Sequence, residues 1–149
     1  MQIHLDKMLV LCATKFQGKF DKGGHPYILH CLKVMHYVDT DDDELNCIAL
    51  GHDLVEDTDV TFGELLFDYK FTERIVDGIR SLTKFPGESN DEYLTKVKGN
   101  HDAVLVKLAD LRHNSDLRRL KGVTEKDLAR LAKYAKSYNE LKSFLEGKS

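Results

Sequence analysis

Apolar residues recur at spacings of three and four along nearly all of this chain, and no run alternates convincingly with a period of two. The first pattern buries one stripe of a helix; a half-buried strand needs the second. An all-α fold is therefore predicted, a helical bundle with at most a short β-hairpin near residues 19–26. A length of 149 residues suits one domain, 1–149, with a proper hydrophobic core. No repeat, linker or low-complexity tract divides it.

Leu5, Met8, Leu9, Cys12 and Phe16 mark a first helix that ends near Gly18, followed by a loop over Lys19 to Pro26. Ile28, Cys31, Leu32, Met35 and His36 mark a second, stopped by the acidic break Asp39–Asp43. A third is expected from about Asp43 to Val55. Thr61-Phe62-Gly63-Glu64 reads as a capping box opening a helix toward Tyr69, Thr72 as the cap of the next, and Ser89 to Glu92 as another capping box. A long buried helix is predicted from Asp102 to about Leu120, ended by Gly122, and Thr124 opens the C-terminal helix through Leu145.

Several functional classes drop out on composition. No apolar run approaches the ~20 residues of a membrane span, and the N-terminus lacks a signal-peptide pattern, so cytoplasmic residence is expected. A net charge of −3 without a basic face argues against DNA or RNA as partner. Cys12, Cys31 and Cys47 are odd in number, lie in apolar stretches and form no CxxC; they read as reduced core thiols.

Against this background His52-Asp53 stands out, an imidazole beside a carboxylate inside an apolar run. Neighbours on a helix diverge by ~100°, so the two share no face. They can still converge on an ion beside the helix if other helices supply ligands from the far side. His30 and Asp110 are suited to this, because each sits among apolar neighbours where an unpaired ionisable group is costly. A mixed nitrogen and oxygen set fits Mn²⁺, Fe²⁺ or Zn²⁺. With open positions left on a six-coordinate ion, Mn²⁺ is the first choice. Glu56 and Asp57 follow His52 and Asp53 by four residues, one helical turn, where an acidic pair can orient a water and manage its proton.

The order His30, His52-Asp53, Asp110 resembles the HD superfamily of metal-dependent phosphohydrolases. More narrowly, the segment from Gly51 to Thr58 is similar to the HDxxEDT signature of the RelA/SpoT-type hydrolase domain. Gly24 to His30 resembles its G-x-P-Y-x-x-H, Leu82-Thr83 its L-T, and Val106 to Asn114 its V-K-L-A-D-x-x-x-N. Arg130 and Tyr134 fall where the family carries an R-x-x-x-Y pair. The likeness covers roughly residues 8–140. One departure stands at Gln17-Gly18-Lys19-Phe20-Asp21-Lys22, where the family has an arginine-rich cluster and Phe20 takes a basic position.

This resemblance implies a stand-alone HD-domain hydrolase that removes pyrophosphate from the 3′ position of (p)ppGpp with Mn²⁺. It implies metal ligation by His30, His52, Asp53 and Asp110, and catalysis by Glu56 and Asp57. Phosphate charge has to be met by cations, for which Lys19, Lys107, Arg112 and Arg130 are candidates. Asn114 and Tyr134 are candidates to touch the sugar or a phosphate. His4, His25, His36, His101 and His113 receive no role. Two alternatives stand beside this reading. One is a nucleotidase or phosphatase for another nucleotide, such as NADPH or a deoxynucleotide, motivated by Lys19-Phe20. The other is a non-catalytic nucleotide-binding HD domain, against which the Glu56-Asp57 pair argues.

Overall fold

Side-chain caps decide where most helices of this chain begin. In the computed structural model, which describes residues 1–147, the helices are α1 (Ile3–Lys15), α2 (Tyr27–Val38), α3 (Asp43–Gly51) and α4 (Leu54–Asp57). They are followed by α5 (Glu73–Leu82), α6 (Asn90–Lys98), α7 (His101–Asn114) and α8 (Glu125–Leu145). The end of the expected 1–149 domain, residues 148 and 149, lies outside the described residues. Asp42 accepts the amide protons of Glu44 and Leu45, Thr72 that of Ile75, and Asn100 that of Ala103. Ser89 with Glu92 and Thr124 with Asp127 form reciprocal capping boxes. Each cap contributes on the order of 1 kcal/mol.

α3 is the central element, with every residue from Leu45 to Gly51 buried. On one side Met8 and Cys12 of α1, with Phe16 just after it, pack with Leu50, Leu54, Ile75 and Ile79. On the other, Val34 of α2 and Ile48 pack with Leu82, Val97, Val104, Leu108 and Leu141. α5 approaches α3 so closely that a Cβ at Gly78 would lie 2.5 Å from Ile48 Cδ1. The three cysteines are free and buried, and burial pushes the Cys12 thiol up to about 12. No described helix is long and apolar enough to cross a membrane.

The all-α expectation holds, and among the described residues the only pairing of β type is a single antiparallel bridge, Phe20 with Pro26. Three boundaries differ from the sequence reading. The helix expected over Asp43–Val55 breaks at His52-Asp53, with Asp53 at φ −100°, ψ 2° before α4 resumes. The helix toward Tyr69 does open on a Thr61–Glu64 capping box, but it is a wide turn, Glu64–Asp68, closed by Tyr69 N–H to the Glu64 carbonyl at 2.9 Å. The helix expected to reach Leu120 stops at Asn114. Asp116 accepts the Arg118 amide and starts a separate 3₁₀ turn, Leu117–Arg119, while Arg119 is drawn to Asp21. These departures matter because two of them border the site.

Candidate metal centre and adjoining cleft

The break after α3 resolves the geometric difficulty of adjacent ligands. Were the helix continuous, His52 and Asp53 would point ~100° apart; with the chain turned at Asp53, His52 Nε2 lies 3.1 Å from Asp53 Oδ2. α2 brings His30 and α7 brings Asp110 from across the core. His30 Nε2 is 3.0 Å from Asp110 Oδ1 and 3.8 Å from Asp53 Oδ2, and His52 Nε2 is 3.3 Å from Asp110 Oδ1. One donor atom from each of the four residues lies within 4.8 Å of all the others. Two imidazole nitrogens and two carboxylates, nearly all buried and facing one another, form a donor set that fits a divalent cation of the Mn²⁺, Fe²⁺ or Zn²⁺ kind.

The surrounding contacts hold these donors in place. His52 Nδ1 donates to the Ala49 carbonyl at 2.7 Å, which leaves Nε2 for the cluster. Burial works against charge on His52, but Asp53 and Asp110 hold its pKa well above the usual value. Burial also opposes ionisation of Asp110, yet Lys107, His30 and His52 keep its carboxyl well below the ordinary range. Lys107 Nζ reaches Asp110 Oδ2 at 2.9 Å and Asn114 Nδ2 reaches Asp110 Oδ1 at 3.1 Å. The Tyr27 hydroxyl donates to Asp53 Oδ2, and burial together with Asp53 raises the phenol pKa.

Glu56 and Asp57 stand beside the cluster on α4, close enough for one carboxylate oxygen of each to lie within 4.8 Å of Asp53 and of the other. The Lys84 amide donates to Glu56 Oε1 at 2.7 Å. Burial, then Asp53 and Glu56, push the Asp57 carboxyl up to about 6. Such a group can hold or release a proton near neutrality. Lys19 donates to the Asp57 carbonyl, and Lys19, Phe20, Tyr27 and Asp57 line one hollow.

A cleft of about 300 Å³ continues past Tyr27 to α8. Phe20, Asn114, Arg119, Arg130 and Tyr134 line it. Arg130 is paired with Asp127. Gly23 admits the 3₁₀ turn, since a Cβ there would sit 2.0 Å from the Arg119 carbonyl oxygen. The sequence-derived candidates thus gather around one centre, with two qualifications. Lys107 is committed to Asp110 rather than lining the cleft, and Arg112 stacks over the Tyr37 ring, 4.0 Å from its centroid.

Three residues escaped the sequence reading. Tyr27 lay inside a quoted motif, yet nothing in its type announced a bond to Asp53. His113 touches His30, with the two Nδ1 atoms 2.7 Å apart. Its signal was its spacing, three residues beyond Asp110 and so on a neighbouring face of the same helix. Arg119 donates to Asn114 Oδ1 at 2.9 Å and to Asp21 Oδ2 at 3.2 Å, a tertiary link that only the turn after α7 creates.

No family model matches the chain. A GTP pyrophosphokinase of Myxococcus xanthus is 33% identical in an alignment 143 residues long that covers 86% of this chain and 18% of that protein. MESH1 of Danio rerio, a guanosine-3′,5′-bis(diphosphate) 3′-pyrophosphohydrolase, is 38% identical in an alignment 101 residues long that covers 63% of this chain and 56% of that protein. The chain therefore spans less than two thirds of either curated relative. A solved metazoan orthologue of SpoT, described as hydrolysing ppGpp, superposes with a TM-score of 0.76 at 23% identity, over 93% of this chain and 84% of that one. These likenesses agree with the resemblance drawn from the HDxxEDT-like and VKLAD-like segments: the chain is similar in sequence to a GTP pyrophosphokinase and to a 3′-pyrophosphohydrolase, and it shares the helical fold of the solved orthologue.

Proposed function

We propose that this chain is a Mn²⁺-dependent hydrolase that removes the 3′ pyrophosphate of (p)ppGpp. The observation that carries the reading is the convergence of His30, His52, Asp53 and Asp110 beside the Glu56-Asp57 pair, in a chain similar to a 3′-pyrophosphohydrolase. When bound, the cation supplies a Lewis acid for a phosphoryl oxygen and lowers the pKa of water. Everything else falls to the protein's own side chains. Asp57, with its carboxyl raised to about 6, is suited to take a proton from the attacking water above that pH and to carry it away from the reacting centre. Glu56, fixed by the Lys84 amide, orients that water. Lys19 sets a cation beside Asp57 to meet phosphate charge. Tyr27 and Asn114 hold Asp53 and Asp110 in register, while Lys107 balances the buried Asp110 charge. The nucleoside then lies along the cleft toward Arg130 and Tyr134, whose volume suits a small ligand.

The test is direct. Purified protein supplied with Mn²⁺ and ppGpp is expected to release pyrophosphate and leave GDP, and chelation is expected to stop it. No release from ppGpp under Mn²⁺ sinks the substrate assignment. Phe20 favours a second reading, in which another nucleotide is preferred. Phe20 is 63% exposed where the family it resembles carries a cation, so a phosphate contact is exchanged for an aromatic side chain. A side-by-side panel of ppGpp, NADPH and deoxynucleotides separates the two readings by their kcat/KM order.

A further inference from the structure

The two candidate histidine ligands are held in different ways. His52 Nδ1 meets a backbone carbonyl, which only accepts, so Nε2 is the free nitrogen by construction. His30 Nδ1 meets another imidazole, His113 Nδ1, at 2.7 Å. The ring centroids are 5.0 Å apart and the planes are tilted by only 21°, an edge-to-edge arrangement in nearly one plane. At that spacing one proton lies between the nitrogens. Two protons would clash, and two bare lone pairs would repel.

Which ring owns that proton decides what the other end of His30 can do. A neutral imidazole carries one N–H. If His113 donates, the His30 proton sits on Nε2, where it meets Asp110 Oδ1 at 3.0 Å and blocks ligation. If His30 donates, Nε2 is bare and faces the carboxylates. His113 is half-buried and lines an open groove with Lys33 and Arg118, so water can serve its own Nε2 proton there. Its backbone is fixed as well, because Arg119 donates to the His113 carbonyl at 3.3 Å.

We infer that His113 is a positioning residue: it accepts the Nδ1 proton of His30 and so keeps the His30 Nε2 lone pair aimed into the ligand cluster. This rests on the metal reading above but not on any particular substrate. Side-chain partners of this sort commonly change metal affinity ten- to a hundred-fold when removed.

The experiment uses the full chain with Mn²⁺ alone as titrant, followed by calorimetry. His113→Phe keeps a flat ring but removes the acceptor, and weaker Mn²⁺ binding by roughly ten- to a hundred-fold is expected. His113→Asn puts a carbonyl oxygen near the lost Nδ1 and should recover affinity to within a few-fold of the parent, roughly the cost of one hydrogen bond. A role limited to packing predicts the opposite order, with the aromatic variant near normal and the asparagine variant impaired. A second readout needs neither variant. In ¹⁵N-labelled parent protein, a scalar coupling between the His30 and His113 Nδ1 nuclei is expected, and the shared proton should stay on His30 when diamagnetic Zn²⁺ is added. Parent-like Mn²⁺ affinity in His113→Phe, or absence of that coupling, overturns the assignment. Failure of the parent to bind any divalent ion overturns the metal reading instead, while the coupling still tests the His30–His113 pair.

Discussion

The candidate metal centre and the cleft beside it are built on opposite plans. At the centre, four donors come from α2, α7 and the break after α3, and each charge is answered by a buried neighbour a hydrogen bond away. Along the cleft, the walls are the 16–26 loop, the 3₁₀ turn and the start of α8, and their cations lean on nearby acids: Arg119 on Asp21, Arg130 on Asp127. The first arrangement can change only if the core changes. The second rests on contacts that single substitutions remove, so recognition can drift while the ion site stays fixed.

The sharpest way to break this contrast is to remove Asp110. Asp110→Ala leaves Lys107, whose side chain is only 19% exposed, without its partner. Stripping one member of a buried pair costs roughly 3–5 kcal/mol. Urea unfolding is expected to show a loss of that size, together with loss of Mn²⁺ uptake. A variant that unfolds like the parent and still takes up Mn²⁺ would mean that the centre is not part of the core. Asp57→Asn tests the edge of the same region with a different signature. It should lower kcat by roughly 10²- to 10⁴-fold, the usual worth of a positioned general base, while Mn²⁺ affinity stays near that of the parent. A large fall in affinity instead would make Asp57 a ligand.

The same contrast explains what was legible in the sequence. His30, His52, Asp53 and Asp110 were readable because ionisable residues in apolar helical stretches need a reason to be buried. The capping boxes at Thr61 and Ser89 and the helix start at Thr124 were readable because their signals are local. The break at Asp53 was not, since periodicity runs through it and what the turn achieves, bringing Asp53 to face His30 and Asp110, depends on other helices. Nor was the end of α7, where Leu117 and Leu120 continue the apolar pattern while Arg119 is captured by Asp21, 98 residues earlier in the chain. His113 was passed over for a related reason. Its role comes from α2 packing on α7, which no local pattern records.

On the cleft side the expected effects are smaller. Arg119→Ala removes donors from Asn114 Oδ1 and Asp21 Oδ2 and frees the 3₁₀ turn from the loop that carries Phe20. Loss of partly buried, charge-assisted bonds costs about 1–3 kcal/mol. The prediction is a raised KM for ppGpp with Mn²⁺ affinity lowered by no more than a few-fold, measured by steady-state kinetics and calorimetry on the same preparation. The His113 carbonyl and Asn114 Oδ1 lose a donor, while the His30–His113 and Asn114–Asp110 bonds remain. Equal damage to both would show that the two regions are one mechanical unit.

The smallest effect belongs to an exposed counterpart of the Lys107–Asp110 pair. Arg74 links the N-terminal ends of three helices through Asp42 at 2.8 Å, Glu44 at 3.4 Å and Asp102 at 2.9 Å. Hydrogen bonding from Arg74 leads the causes that hold the Asp42 carboxyl below its ordinary value. A carboxyl depressed in the folded state adds stability above its unfolded pKa, about 3.9, and loses it as the pH falls through the folded value. Arg74 and Asp42 are 39% and 37% exposed, so screening by water keeps the gain to within about 1 kcal/mol. Arg74→Gln should therefore cost a few tenths of a kcal/mol to about 1 kcal/mol at pH 7 in dilute buffer. The cost should shrink in 1 M salt, where the Debye length falls to about 3 Å, and again as the pH drops toward 3. The Asp110→Ala loss should hold in the same salt, because a buried pair is poorly reached by counter-ions. If salt erases both losses alike, the centre is wetter than its side-chain burial indicates, and the division between a fixed core site and a changeable cleft fails with it.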